Sequence, residues 1–397
     1  MHTPDPAAEP TVVPAVDPAL ARYREDYPIL SDTVYMNSNS MGAMPRQAQE
    51  ALLEYAADWQ REGVEVWHRW VEVVNEVSDA AARFLNAPAG QTTLNQNVAF
   101  FQAQIASCLD FSGRRNKVVM EALQFPNVVY VWERHQELGA RLCLVPSDDG
   151  IRVPTERILE AIDEETLIVP ISHGIYVSGA LQDVAAITRR AHEVGALVMV
   201  DAYQTVGSVP IDVERWGADI VVSGSHKWLC GGPGAAFMWM RPELRDRLRP
   251  RITGWMGHEN PFAFADAPIR YAPNNWHFMG GTPSIPAYYV AKAAYKNLLE
   301  IGVPRIRAHG LALSRIILDR ALAAGLTVHS PLDDRERAGF VAVDFPTSEA
   351  ASKQLIAERY KLDWRPKCGL RLGPHFYTTE AEVQRMMDRI VALAGRG

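Results

Sequence analysis

The chain has 397 residues, of which 48% are hydrophobic and 22% are charged, and its formal net charge is -7. A chain of this length and composition can bury a large core without disulfides and has room for a large domain and a smaller one. Nucleic-acid binding needs a basic face, and the acidic balance without any Lys/Arg run excludes it.

The cysteines predict neither a disulfide framework nor a metal site, because Cys108, Cys143, Cys230 and Cys368 are far apart and form no CxxC pair. This usage fits a reducing cytoplasm. No apolar run approaches the roughly 20 residues that cross a bilayer, so we expect no membrane association. Residues 1–20 are rich in proline and contain no Lys or Arg. They predict a flexible N-terminal arm rather than a signal peptide.

Apolar periodicity predicts helices over 45–63, 71–87 and 97–109, the last after the polar stretch TTLNQ. Beyond them, β-rich runs alternate with helical ones, which is typical of βαβ units around a parallel sheet. The run GAAFMWM follows a Gly-rich turn too closely for a helical crossover and is expected to pair antiparallel. We therefore predict a mixed, mainly parallel seven-stranded sheet. It belongs to a large α/β domain over 21–282, whose N-terminal segment packs on a smaller α+β domain over 283–397.

Three polar residues follow predicted strands: Asp201, Gln204 and Lys227. Open α/β sheets bind ligands at the carboxyl ends of their strands, where these side chains would meet. A lysine amine forms an imine with an aldehyde, and a carboxylate keeps a pyridine nitrogen protonated. Pyridoxal 5'-phosphate needs these residue types, although a single strand-end Asp or a single Lys also has an ordinary structural explanation.

The segment SGSHKWLCGGPGAAF places Lys227 ahead of a tight, Gly-rich turn. Together, SHKWLCGGPG and VDAYQTVGSVPIDV resemble the class V branch of fold-type I pyridoxal phosphate enzymes. That branch includes kynureninases, cysteine desulfurases and isopenicillin N epimerase-like proteins. The resemblance runs from about Tyr35 to the C-terminus and implies the fold-type I architecture.

The resemblance implies a role for each residue around the cofactor ring. Lys227 would hold the cofactor as a Schiff base, and Asp201 would pair with the pyridine nitrogen. Gln204 would reach the phenolic oxygen, as the desulfurase-type Gln does. Phe125, in EALQFPNVVY, matches the aromatic residue that stacks on the ring in kynureninases.

The cofactor phosphate is expected at the LNQNV junction, because a helix N-terminus offers free amides and a positive dipole end. Asn97 and the amide of Val98 are the predicted contacts. The resemblance adds Ser223, Ser225 and His226 on the phosphate side. Kynureninases commonly carry Tyr at the position of His226, so this residue leans toward the desulfurase pattern.

Two further segments, TGWMGH and GGTPSIP, resemble kynureninases. Trp255 and Thr282 match positions that reach the phosphate from the neighbouring subunit in that family. The resemblance therefore implies a homodimer whose active site is shared across the interface.

Substrate contacts are expected from the two ends of the chain. Arg371, in CGLRLGPHFYTTEAEV, matches the arginine that binds the substrate α-carboxylate, for which a guanidinium offers two parallel hydrogen bonds. Ser40, in YMNSNSMGAMP, matches a segment near the substrate. The WHRW element, from Trp67 to Trp70, either lines an aromatic pocket or belongs to the core.

The leading interpretation is kynureninase-like hydrolysis of a small-molecule amino acid. Lys227 would remove the Cα proton, water would add at the side-chain carbonyl, and cleavage of the Cβ–Cγ bond would release alanine. Two departures count against it. Kynureninases usually carry an acidic residue at the position of Val128 and commonly His at the position of Gln204.

Three alternatives stay open. A cysteine desulfurase or selenocysteine lyase needs a thiolate; only Cys368 lies near Arg371 in the sequence, and the longer Cys-bearing loop of that family is absent. An epimerase or a β-eliminating lyase would use the same cofactor apparatus. A non-catalytic homologue is the remaining alternative, and the presence of Lys227, Asp201 and Arg371 argues against it.

Overall fold

The computed structural model describes residues 14–395. The helices are α1 Arg46–Glu62, α2 Trp67–Phe84, α3 Val98–Cys108, α4 Pro126–Arg134, α5 Thr155–Ala161, α6 Val184–Glu193, α7 Val213–Trp216, α8 Pro242–Arg245, α9 Ile285–Ile301, α10 Val303–Ala323, α11 Ser348–Ala357 and α12 Glu380–Ala394. The strands are β1 Val34–Tyr35, β2 Thr92–Asn95, β3 Lys117–Glu121, β4 Arg141–Val145, β5 Thr166–Ser172, β6 Leu197–Asp201, β7 Ile220–Gly224, β8 Ala236–Met240, β9 Thr327–Val328, β10 Val341–Asp344, β11 Tyr360–Lys361, β12 Asp363–Arg365 and β13 Gly369–Leu372.

Seven strands form one sheet in the order β2-β8-β7-β6-β5-β3-β4. The strands from β7 to β4 run parallel, whereas β8 is antiparallel to both of its neighbours. This confirms the predicted mixed, mainly parallel seven-stranded sheet and its antiparallel strand.

The seventh strand, β2, lies within the stretch TTLNQ, which the sequence analysis treated only as polar. Thr92 and Thr93 are fully buried, and Ser78 of α2 donates its hydroxyl to the Thr92 carbonyl at 2.7 Å. The two threonines interrupt the apolar alternation that marks a strand in a sequence. For this reason the sequence pattern did not indicate β2.

Helices cover both faces of the sheet, so its central strands are apolar on both sides. In β6, Val198 and Val200 pack into one apolar cluster and Met199 packs into the cluster on the opposite face. The strand ends on Asp201, which is buried although it is charged. Because β6 and β7 are parallel neighbours, Asp201 and the residues after Gly224 meet at one edge of the sheet.

A second sheet, in the order β12-β13-β10-β9, is antiparallel and packs with α10, α11 and α12 around its own apolar cluster. The N-terminal segment joins this part of the chain, because β1 pairs in parallel with β11. Helix α9 packs against α1 and α2, and the Tyr289 hydroxyl donates to Asp58 at 3.1 Å. The boundary at residue 283 stays a prediction.

Most of the predicted flexible arm falls on residues 1–13, outside the described residues. Its described end packs on the rest of the chain: Leu20 is fully buried, and Asp17 accepts a 2.6 Å hydrogen bond from Arg305. Between residues 14 and 395, no helix is both long enough and apolar enough to cross a membrane.

Candidate active site

Lys227 follows β7 and is half-buried. Its Nζ lies 4.7 Å from the ring centroid of Tyr203 and 5.6 Å from that of Phe125. Within residues 14–395 this Nζ has no hydrogen-bond or ion-pair partner. Burial lowers the pKa of the Lys227 amine to about 8. An amine with this pKa is neutral often enough near pH 7 to act as a nucleophile or base.

Asp201 ends the neighbouring strand β6, and one of its carboxylate oxygens accepts a 2.8 Å hydrogen bond from the Tyr203 backbone amide. Burial raises the pKa of the Asp201 carboxyl to about 6, although this bond and the nearby Lys227 amine lower it. A buried carboxylate with only partial compensation favours a positively charged partner. A protonated pyridine nitrogen is such a partner.

Tyr203 is a residue that the sequence analysis missed. Its hydroxyl lies 2.7 Å from Nδ1 of His226. Burial lowers the pKa of His226 to about 4 and raises that of Tyr203 above its usual value, so both side chains are neutral. The bond therefore joins two neutral groups, a phenol and an imidazole, beside Lys227.

The Tyr203 side chain packs directly against the backbone at Gly224, the last residue of β7. A Cβ on Gly224 would lie 2.1 Å from the Tyr203 hydroxyl oxygen, so only glycine fits there without displacing the ring. Its position between Asp201 and Gln204, two predicted site residues, is the sequence feature that could have identified Tyr203.

Asn97 is the N-cap of α3, and its side-chain oxygen accepts a 2.9 Å hydrogen bond from the Phe100 amide. Val98 is the first helical residue. The predicted helix start is confirmed. The binding of phosphate by Asn97 and Val98 stays a prediction.

The two serines before Lys227 differ. The Ser223 hydroxyl is buried and has no hydrogen-bond partner among the described residues. The Ser225 hydroxyl donates to the Ala235 carbonyl and contacts the Tyr295 hydroxyl inside the core. The phosphate roles of Ser223 and Ser225 stay predictions, because the Ser223 side chain is fully buried and the Ser225 hydroxyl is bonded within the core.

Gln204 is buried and connects two parts of the chain. Its amide nitrogen donates to the Asn39 carbonyl at 3.0 Å, and its amide oxygen accepts from the Trp228 indole at 3.3 Å. Phe125 is 45% exposed, and its ring meets that of Tyr176 edge-on with centroids 5.2 Å apart. The ring contacts assigned to Gln204 and Phe125 stay predictions.

Arg371, on β13, is buried, and its guanidinium binds the Asp363 carboxylate through two nitrogens. A third nitrogen donates to the Tyr176 carbonyl at 2.6 Å. The sequence analysis missed Asp363. Asp363 and Arg371 are cross-strand partners of β12 and β13, a register that sequence alone does not give.

The remaining predicted contacts lie at the surface or among aromatic side chains. Trp255 is half-buried, and its ring meets that of Trp67 edge-on at 5.5 Å. Trp70 is buried and stacks on Tyr55 at 5.8 Å, so the second half of the WHRW element belongs to the core. Thr282 is exposed, and Ser40 is half-buried in the turn that follows β1.

The chain belongs to the class V aminotransferase family, because the family model "Aminotransferase class-V" matches residues 34–386. It is 31% identical over 373 residues to the uncharacterized aminotransferase YcbU of Bacillus subtilis (strain 168), covering 94% of this chain and 97% of that protein. It is 28% identical over 384 residues to a kynureninase of Pseudomonas fluorescens, covering 92% of this chain and 90% of the relative.

Solved structures give the same fold. An apo cysteine desulfurase from Thermococcus onnurineus NA1 superposes with a TM-score of 0.85 at 19% identity, covering 97% of this chain and 100% of that one. A mutant of C-DES with glycine covalently linked to its pyridoxal phosphate cofactor superposes with a TM-score of 0.84 at 19% identity, covering 93% and 98%. The fold is that of the fold-type I enzymes, and the cofactor is pyridoxal 5'-phosphate.

Two observations within this chain fit that cofactor. The Lys227 amine has no polar partner among the described residues, and burial raises the pKa of the Asp201 carboxyl. A buried polar group without a partner costs free energy unless a ligand binds to it. An aldehyde and a pyridine nitrogen would be suitable partners for the amine and the carboxylate.

Proposed function

We propose that this protein acts on an α-amino acid by kynureninase-like hydrolytic cleavage of the Cβ–Cγ bond, which releases alanine. The observation that carries the proposal is the similarity to kynureninases over nine tenths of the chain. The candidate site supplies what that reaction needs from the protein: a base at Lys227 and a carboxylate-binding cation at Arg371.

When bound, pyridoxal phosphate supplies an electron sink for the negative charge that develops at the substrate Cα. Lys227, with a pKa near 8, takes the Cα proton and returns it, and its neutral form is abundant enough to act as base. Asp201 keeps the pyridine nitrogen protonated. Arg371 fixes the substrate α-carboxylate, so that Cα stays within reach of the Lys227 amine.

The alternative is C–S or C–Se cleavage, and Gln204 and His226 are the residues that favour it. That chemistry needs a thiolate near the substrate. Cys368 is 1% exposed, and burial raises the pKa of its thiol to about 11. It is therefore protonated at neutral pH. An epimerase or a β-eliminating lyase would use the same base and carboxylate site and stays a further alternative.

The proposal includes a homodimer in which Trp255 and Thr282 reach the partner's active site. Large apolar side chains are exposed on α1 and in the segments after α1 and before α9, as expected for a surface that another copy covers. The exposed fractions are 66% for Leu53, 56% for Trp59, 78% for Val64 and 76% for Phe264.

Alanine formation from four substrates tests the proposal: L-kynurenine, 3-hydroxykynurenine, L-cysteine and L-selenocysteine, each with wild type and with Cys368→Ala. We expect alanine from a kynurenine and little effect of the substitution, because hydrolysis needs water and no thiol. Alanine formed only from the sulfur or selenium substrate and lost in Cys368→Ala would establish the alternative. No alanine from any of the four would favour the epimerase or the β-eliminating lyase.

A further inference from the structure

The Arg371 guanidinium is only partly occupied by the protein. Of its five N–H donors, Nε binds Asp363 Oδ1 at 3.0 Å, Nη2 binds Asp363 Oδ2, and Nη1 binds the Tyr176 carbonyl at 2.6 Å. Within residues 14–395 no other hydrogen-bond acceptor contacts the guanidinium, whose face lies 5.7 Å from the Phe340 ring centroid, so one N–H on Nη1 and one on Nη2 remain open. Asp363 takes the Nε/Nη2 edge and leaves hydrogens of the other edge for a second carboxylate.

Asp363 is shared with a second arginine. Its Oδ2 lies 3.0 Å from Nη2 of Arg365, whose side chain is 45% exposed, whereas that of Arg371 is 4% exposed. Two guanidinium groups and one carboxylate carry a net charge of about +1. One substrate carboxylate would neutralise this cluster, whereas Arg371 and Asp363 alone would have no charge left to offer.

Side-chain contacts connect the cluster to Lys227. The Arg371 guanidinium donates to the Tyr176 carbonyl, the Tyr176 ring meets the Phe125 ring at 5.2 Å, and the Phe125 ring centroid lies 5.6 Å from the Lys227 Nζ. Burial lowers the pKa of Lys227 most, and the charges of Arg371, Asp363 and Arg365 also act on it. A carboxylate held between these arginines therefore lies within electrostatic reach of the Lys227 amine, as the α-carboxylate of a substrate must.

We propose that Asp363 is a positioning residue for the substrate: it fixes the plane of Arg371, turns the open Nη1/Nη2 edge to the α-carboxylate, and is itself neutralised by Arg365. From the proposed function, this proposal takes only the assumption that the substrate is an α-amino acid. It does not depend on which bond is cleaved.

The test compares two ligands that differ by the carboxylate. Holoenzyme is titrated with L-alanine and with ethylamine, and binding is followed by the absorption of the cofactor. For Asp363→Asn we expect about tenfold weaker L-alanine binding, because the amide opposes Nη2 and the guanidinium loses its orientation, with ethylamine changed less than about twofold. Coulomb attraction alone predicts the opposite sign, since the substitution removes a negative charge.

Arg365→Gln is a second variant at a more exposed position, so its folding is less at risk. It should weaken L-alanine binding by about three- to tenfold without affecting ethylamine, and Arg365→Lys should restore most of the loss by restoring the charge. The matched control is Asp344→Asn on β10, whose carboxylate binds Ser348 rather than Arg371. We expect L-alanine binding by this control to equal that of wild type.

Two results would overturn the proposal. One is an Asp363→Asn protein that binds L-alanine as tightly as wild type or more tightly. The other is the absence of discrimination between the ligands: wild type binds L-alanine and ethylamine equally tightly, or both variants change the affinity for the two ligands by the same factor. Because these are binding measurements, they stand apart from the proposed reaction: selective binding of L-alanine without alanine formation from a kynurenine would contradict the proposed function alone.

Discussion

The ionisation of the Lys227 amine determines how fast the protein can take up its cofactor. Cofactor loading requires the neutral amine, and a pKa of about 8 makes roughly a tenth of it neutral at pH 7. An ordinary lysine would be neutral about a few hundred times less often. We expect the loading rate of apo-protein to rise about tenfold from pH 6 to pH 7 and about fivefold from pH 7 to pH 8, and to gain no more than about twofold above pH 8.

This pH dependence is measured by mixing apo-protein with pyridoxal phosphate between pH 6 and pH 10 and following the cofactor absorption. The free cofactor, loaded onto a small amine under the same conditions, corrects for its own titration. A rate that keeps rising through pH 10 would show that burial does not lower the pKa of Lys227.

At the same scale, the sequence identifies residues whose chemistry is local and misses those that act through a partner. Lys227 and Asp201 follow strands whose pattern is plain, so their meeting at one sheet edge could be predicted. The roles of Tyr203 and Asp363 depend on contacts with residues elsewhere in the sequence. Tyr203 contacts His226, and Asp363 contacts Arg371. A hydroxyl-to-imidazole bond and a strand register are fixed by packing, which residue spacing does not encode.

At the scale of elements, hydrophobic periodicity predicted three helices of the first 109 residues and the alternation of strands and helices that builds the large sheet. The helix predicted over 45–63 spans Arg46–Glu62, and the helix predicted over 97–109 spans Val98–Cys108. Edge strand β2 was missed because two of its four residues are threonines, of which Thr92 is buried through hydrogen bonds with Ser78 of α2. The type of an element can thus be predicted from the sequence where burial requires apolar residues, and less well at the edge of a sheet.

At the scale of the whole molecule, the proposed shared active site predicts complementation between two inactive variants. In a mixed dimer of Lys227→Ala and Trp255→Ala, one site has lost both residues and the other has both intact. Random reassociation makes half of the dimers mixed, so about a quarter of wild-type activity should return.

The comparison needs each variant alone, the two mixed after reversible dissociation, and the two mixed without it. Size-exclusion chromatography checks that Trp255→Ala still associates, because its ring packs on Trp67. Activity that never exceeds the sum of the two parents would place each active site within one chain.

The most direct measurement of the central claim identifies the lysine that carries the cofactor. Borohydride reduction of the holoenzyme followed by peptide mass spectrometry should locate pyridoxal phosphate on the peptide containing Lys227, and Lys227→Ala should carry no reducible cofactor. Labelling of another lysine, or unchanged labelling in Lys227→Ala, would contradict the assignment on which the site and its chemistry rest.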